Sequence, residues 1–588
     1  MAQAHSPASP GHAAPELTLR AILTGMLIGA ALTPCNVYSG LKIGWSFNMS
    51  VAAGLLAYGF WSLAARGSRA WPWGILENNI NQTTASSAAS IISGGLVAPI
   101  PALTLLTGRE LAWQWLTLWV FAVSILGVVV AAGLRNQMLL RERLAFPAGI
   151  ATAETMQRIH ARGREAFARL RVLFGAAAVS AALKGVNDLV VALPRLGPAA
   201  TLPAGGASPT LANLGFAFDP SLLMLGFGAI IGLRAGLSLL LGAVTGWGLL
   251  APYALAMGWA EAGAAAPQAA WFGPLVTWLL WPGVTLMVVA SLVSFGISLL
   301  RLWRRRRQAA PADRAPLRLP RGQMLGLVFC TALIAAIAMP LFGLALWEAV
   351  TAVLLSYVLA VVAARVSGET GITPIGAMGK ITQLAYGILS PGNVITNLMA
   401  ANITGGAAGQ CADLMHDLRT GQIIGATPRF QIVAQCFGVA TGALAGSAVY
   451  LLLIPDPQAM LITADWPAPA VATWKAVAEV LAGGLGAIPP GALPAMLAAA
   501  MAGIALALAE RLLPERYARR VPSAPAIGLA FVIPAWNALS MCLGAVIAAI
   551  VARVAPRFGE TSTLPLAAGL VAGESLIGVA TAAAGLLR

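Results

Sequence analysis

Long apolar runs separated by short basic or Pro/Gly-rich stretches recur along the chain from Leu19 onward. Residues 325–338 are typical, fourteen positions with no charge. A β-barrel would show short alternating segments instead, so the runs predict helices. A helix needs about 20 mostly apolar residues to cross the hydrocarbon of a bilayer. Runs starting near Leu19, Val51, Ile75, Leu111, Val172, Leu222, Ala235 and Phe272 predict a first set of crossings. Runs near Met324, Leu344, Gly371, Val394, Gln431, Leu493, Ile527 and Leu564 predict a second. The expected fold is therefore all-α and polytopic, with about 16 transmembrane helices.

Composition narrows the class further. Of 588 residues 59% are hydrophobic and only 10% charged, too few to cover a soluble surface. The net charge of +15 would suit nucleic acid if it lay along one soluble face, but it lies in blocks. Eight arginines fall between Arg135 and Arg171, eight between Arg301 and Arg321, and four between Arg511 and Arg520. Blocks of this kind mark cytoplasmic loops, so an even number of crossings should separate them. Parity then puts both termini in the cytoplasm and leaves Arg553 and Arg557 outside, against the rule. Residues 1–16 read as a disordered cytoplasmic tail, 17–300 as a repeat of about 8 helices, 301–321 as a basic cytoplasmic linker and 322–588 as a second repeat of about 8 helices. Ala290–Leu299 resembles Ala568–Leu576, and Glu77-Asn-Asn-Ile80 aligns with Glu369-Thr-Gly-Ile372. Even crossing numbers in both halves predict a parallel repeat, with Glu77 and Glu369 at similar depth. The five cysteines and four histidines are scattered, so neither a disulfide framework nor a protein-built metal site is expected. No cofactor is expected either.

The polar segments inside the predicted crossings are where function should sit. Glu77 to Ser90 carries one carboxylate and nine amide or hydroxyl side chains, among them Asn78, Asn81, Gln82 and Thr83. Lipid cannot solvate them, so they must line water, substrate or another polar helix. The competing reading is an interfacial hairpin or close small-residue packing. Ser367 to Gln383 combines Glu369, Thr370, Thr373, Lys380 and Gln383 with Pro374 and four glycines, which predicts a broken helix at the central site. Asn36, Tyr38 and Lys42 form a third polar group, in which Lys42 is suited to a substrate carboxylate, to Glu77, or to snorkelling. Asn393, Asn397 and Asn402 offer amides for peptide-like groups. Glu574 is a further intramembrane carboxylate, for proton coupling or for a bond between helices.

Several blocks together resemble one family. Tyr38-Ser-Gly-Leu-Lys42, Glu77-Asn-Asn-Ile-Asn-Gln-Thr83, Phe146-Pro-Ala-Gly149, Pro374-Ile-Gly-Ala-Met-Gly-Lys380, Asp413-Leu-Met-His-Asp-Leu-Arg-Thr-Gly421, Ala426-Thr-Pro-Arg429 and Gly569-Leu-Val-Ala-Gly-Glu574 are similar to segments of the oligopeptide transporter (OPT) family. The resemblance runs from about residue 16 to the C-terminus and lies nearer the prokaryotic and yellow stripe-like side. The eukaryotic Asn-Pro-Gly tripeptide is missing, and Lys-Ile-Pro-Pro-Arg survives only as Ala426-Thr-Pro-Arg429. It implies about sixteen helices and proton-driven import of small peptides or of metal chelates of the nicotianamine type.

The expectation is thus a secondary active importer of small oligopeptides or peptide-like solutes in a cell inner (plasma) membrane, driven by protons. Metal-chelate import is the alternative within the class, and a passive channel the alternative outside it. Glu77, Glu369 and Glu574 are the proton-coupling candidates; the Lys, Asn, Gln, Thr and Tyr side chains named above are the substrate-binding ones. The partners expected are the substrate, protons and the bilayer, with no nucleic acid and a homodimer as one admitted assembly. An enzyme is not expected: Walker A, Gly-x-Ser-x-Gly and His-Glu-x-x-His patterns do not occur.

Overall fold

The computed structural model describes residues 15–46, 48–67, 72–161, 163–202, 208–264, 266–308, 321–371 and 373–586. The tail expected to be disordered lies almost wholly outside these, as does most of the basic linker. The main helices of the first half are α1 (Leu19–Ile43), α2 (Ser50–Gly67), α3 (Ile75–Ala89), α4 (Pro99–Thr107), α5 (Trp113–Arg135), α6 (Pro147–Ala161), α7 (Gly163–Leu189), α8 (Leu222–Ala243) and α9 (Phe272–Gln308). Those of the second are α10 (Arg321–Phe342), α11 (Leu346–Thr370), α12 (Ile375–Leu389), α13 (Val394–Ile424), α14 (Pro428–Leu453), α15 (Pro469–Gly483), α16 (Ala492–Leu512), α17 (Ala524–Val532), α18 (Ala535–Val554) and α19 (Pro556–Leu586). Two isolated β-bridges, Leu196 with Phe218 and Thr201 with Thr210, are the only β pairing among the described residues.

Among the described residues twelve helices are long and apolar enough to cross a membrane, fewer than the sixteen runs expected. The shortfall has a physical cause. α2 and α12 are short, α13 is long enough but too polar, and the runs at Leu222 and Ala235 fall in one helical stretch, Leu222–Ala256. Large apolar side chains such as Leu27, Leu325, Val328, Phe329, Ile388 and Met501 stand exposed, as on a surface that meets lipid. The protein is an integral membrane protein.

The helices pack as two groups. One holds α1 to α6 with α10 to α14, and the other α7, α8 and α9 with α16 to α19. Contacts along the helices fix their directions. α1 and α3 run parallel, Arg20 meeting Glu77 and Asn36 meeting Ala89. α11 and α13 also run parallel, through Glu348 with Thr396 and Ser367 with His416. α13 runs antiparallel to α3, with Asn402 on Gly94 and Gln410 on Ser87. The pair α1–α3 and the pair α11–α13 thus point in opposite senses. Glu77 is buried in the first turn of α3, whereas Glu369 is exposed at the end of α11, so the two glutamates expected to correspond have different surroundings.

Two hairpins bear on the parity count, and the second explains its error. α8 breaks at Gly232, whose backbone (φ 82°, ψ 169°) is open only to glycine, so residues 222–231 and 233–243 are separate limbs. That break matches the two separate runs read there. α17 and α18 break likewise at residues 533–534, but the sequence reads as one run near Ile527. The extra limb puts Arg553 and Arg557 on the same face as Arg135, Arg301 and Arg511. It also reverses α19, which runs parallel to α7 (Gly573 against Ala177, Thr581 against Asp188) and ends beside Tyr38. The first helix thus begins and the last helix ends on opposite faces, unlike the expectation of both termini on one side.

α8 and α18 cross without side chains between them. A Cβ on Gly228 would lie 1.9 Å from the Met541 carbonyl oxygen, and one on Gly544 would lie 2.0 Å from that of Leu225. Backbone meets backbone here, so no rotamer relieves the overlap. Gly228→Ala is expected to cost about 1–3 kcal/mol or more, read as a lowered melting temperature in detergent.

Candidate functional site

A cavity of about 840 Å³ lies where the two groups of helices meet, on the side away from the arginine blocks. α1 brings Tyr38 and Lys42, α7 brings Lys184, Asn187 and Asp188, and α19 brings Glu574 and Thr581. The loop before α8 adds Arg195, Asp219 and Ser221, the loop before α15 adds Asp465 and Trp466, and α18 opens on Trp536 and Asn537.

Most of its charges are already matched. Lys184 Nζ bonds Asp188 at 2.9 Å, one helical turn away. Arg195 bonds Asp219 at 2.9 Å and Asp465 at 3.4 Å, with its guanidinium 4.5 Å from the Trp536 ring centre. Glu574 accepts from Ser221 Oγ at 2.8 Å and from the Leu223 amide at 2.8 Å. Its carboxylate thereby sits on the N-terminus of the first limb of α8, where free amides and the helix dipole favour negative charge. Lys42 differs. Its Nζ donates to the Asp465 carbonyl and lies 4.7 Å from the Trp466 ring centre and 5.6 Å from that of Tyr38. Among the described residues no carboxylate forms an ion pair with it, so this cation can meet an anionic group entering the cavity.

Of the residues singled out in the sequence, the cavity brings together Tyr38, Lys42 and Glu574. Lys42 does not approach Glu77: Glu77, on α3, meets Arg20 at the start of α1, and Lys42 lies 22 residues further along, about 33 Å at 1.5 Å per residue. Glu77 is fully buried against Arg20, at 2.5 Å, and against Thr18, at 2.7 Å. Arg20 lies beside the stacked rings of Trp61 and Trp73, whose centres are 5.2 and 5.3 Å from its guanidinium carbon. Asn36 bonds the Ala89 carbonyl at 2.9 Å. Asn78, Asn81, Gln82 and Thr83 are buried in the first group of helices, nearer the basic face. Thr370 and Thr373 lie where α11 ends, Thr373 bonded to Ser367 at 2.9 Å.

The α12–α13 residues make a network of their own. Lys380 bonds Gln383 at 2.9 Å and lies 4.2 Å from the Trp474 ring centre. Gln383 and Asn397 exchange bonds of 3.1 and 2.6 Å. Asn393 caps α13 through the Thr396 amide, and Asn402 accepts from Trp119 at 2.6 Å.

Sequence reading missed Lys184, Asp188, Arg195, Asp219, Asp465, Trp466 and Trp536. Lys184 and Asp188 carried a usable signal, an i,i+4 ion pair at the end of an apolar helix. The others lie on loops, and only the fold brings them to one place. Among the described residues no three His, Cys, Asp or Glu side chains converge as a metal site would require.

Known proteins are similar to this chain along most of its length. The sequence profile described as OPT oligopeptide transporter protein covers residues 16–584. A Saccharomyces cerevisiae protein named as an oligopeptide transporter is 25% identical, over 76% of this chain and 80% of its own length. A metal-nicotianamine transporter of Arabidopsis thaliana is 24% identical, over 95% of this chain and 92% of its own. The iron-phytosiderophore transporter yellow stripe 1 of Zea mays is 24% identical, over 95% and 89%.

Proposed function

Because the chain belongs to the OPT oligopeptide transporter family, we propose that it is a proton-driven secondary importer of small zwitterionic, peptide-like solutes. Family membership gives it the role of a transporter rather than an enzyme. The observation that carries the substrate reading is Lys42, a cation that pairs with no carboxylate among the described residues, in a cavity of about 840 Å³ whose other cations, Lys184 and Arg195, are ion-paired. A carboxylate placed on its ammonium gains a charge-assisted hydrogen bond. The ammonium of the same solute meets Asp465 or Asp188, and the amides meet Asn187, Asn537 and Gln268. The volume falls in the ordinary range for small-molecule sites, about 300–1,000 Å³.

The arginine-rich face is the cytoplasmic one by the positive-inside rule, so the cavity opens to the other side and its contents move inward. Helix pairs of opposite sense, with short and broken helices near a central cavity, suit an alternating-access carrier. A second reading, import of metal chelates, is favoured by the names of the relatives from Arabidopsis thaliana and Zea mays. A chelator of that kind also presents carboxylates and amines to the same groups.

Proteoliposomes holding the purified protein decide among these. Di- to tetrapeptides and metal-chelate complexes are offered with and without an inside-alkaline pH gradient. Accumulation above the external concentration, present only with the gradient, is expected for one of the two sets. Uptake that never exceeds the external concentration would make the protein a passive channel.

A further inference from the structure

The buried polar groups of α3 and α13 take no part in the cavity, and one of them stands apart. Asp417 on α13 is 2% exposed, two turns from the basic-face end of its helix. Its Oδ1 accepts from Ser50 Oγ at 3.4 Å, and Ser50 Oγ in turn bonds Ser86 at 2.9 Å. Gln82 also faces the carboxylate. Gln431 ties the same turn to α3, donating to the Asp417 carbonyl at 2.7 Å and to Thr83 at 3.4 Å.

The charge of Asp417 is unanswered. Its Oδ2 has no hydrogen-bond partner, and among the described residues no Arg, Lys or His forms an ion pair with it. Unpartnered buried acceptors on α3 and α14 lie nearby, Gln82 Oε1, Gln431 Oε1, Asn78 Oδ1 and Asn81 Oδ1; the unpartnered nitrogens in the same region are Asn79 Nδ2, His416 Nδ1 and Arg419 Nε. Charged or titratable groups on the surrounding elements are committed elsewhere or lie off the cluster. His416 bonds Ser367 at 2.9 Å, His160 bonds Asn78 at 3.1 Å and Arg20 holds Glu77, while Asp413 lies one turn away on α13 and adds a like charge. Arg419 bonds Gln422 at 2.7 Å, and Arg429 lies over Phe430.

An ionised carboxylate removed from water without a counter-charge is costly, and unpartnered amide oxygens add to that cost. Excess oxygen acceptors around one negative charge are the donor set of a hard monovalent cation. We propose that Asp417, with Ser50 and Gln82, is a monovalent-cation site separate from the substrate cavity, at which the coupling ion, a proton in the reading above, binds to drive transport. This rests on the reading of the protein as a coupled importer. A physical link to the cavity exists in α1, which packs on α3 through Gly25 against Thr84 and Gly29 against Ala88 and carries Lys42 at its far end.

Two measurements on the full-length protein test the site. In detergent, the melting temperature of the wild type is expected to rise when sodium replaces choline, or when pH falls from 8 to 6, and Asp417→Asn is expected to lose that response. In proteoliposomes, wild-type accumulation should follow whichever gradient supplies the ion, about tenfold per pH unit for one proton per solute. Asp417→Asn should fall to a ratio near one. A variant that keeps the wild-type ion response or still accumulates solute overturns the proposal. If the wild type accumulates with neither gradient, the coupled-import reading fails, while the melting response still decides the cation site. Should Asp417→Asn not fold, Ser50→Ala and Gln82→Leu must each weaken the ion response, and an unchanged response in both overturns the site.

Discussion

Arg20→Ala is expected to destabilise the folded protein by about 3 kcal/mol, read as a lowered melting temperature in detergent. The substitution strands Glu77, which is 0% exposed and takes its main compensation from that guanidinium. The lower end of the usual range of about 3–5 kcal/mol applies because 22% of the Arg20 side chain still reaches solvent. Two stacked tryptophans, with ring centres 5.3 Å apart, lose their cation as well. Removing both partners in Arg20→Ala/Glu77→Gln should cost less than the sum of the single changes, because no buried charge then remains. Strict additivity would show that the pair does not act as one.

Lys42→Ala is expected to weaken substrate binding about 10- to 150-fold, the equivalent of about 1.5–3 kcal/mol for a hydrogen bond to a charged group. The loss should appear in the substrate concentration giving half-maximal uptake, and more weakly for an amidated analogue that lacks the carboxylate. Equal losses for both solutes would mean that Lys42 shapes the cavity without gripping the carboxylate. Folding should be less affected than in Arg20→Ala, since Lys42 leaves no described carboxylate unpaired behind it.

How much of this was legible in the sequence follows from what each signal measures. Hydropathy over about twenty residues found the long helices and the separate runs at Leu222 and Ala235. It failed for α17 and α18, because Ile533 and Pro534 break the helix without breaking the apolar run. Counting charges across loops then carried that one error into the direction of α19 and the side assigned to Arg553 and Arg557. Polar residues inside crossings were visible, but polarity alone does not tell a binding wall from a bond between helices. Lys42, Tyr38 and Glu574 reach the cavity, whereas Glu77 and Asn402 spend their polarity on Arg20 and Trp119. Asp465 and Arg195 were out of reach of any local pattern, being 270 residues apart in the chain.

The central claim is that the cavity between the two groups of helices is the substrate site and opens to the face away from the arginines. Thr581 lines that cavity, and four of the five native cysteines are buried, which makes Thr581→Cys a clean reporter. A membrane-impermeant maleimide applied to the face opposite the arginine blocks should label the variant, and a saturating transported solute should slow the labelling in proportion to occupancy. Labelling that ignores saturating solute, or that proceeds only from the arginine-rich face, would contradict the account.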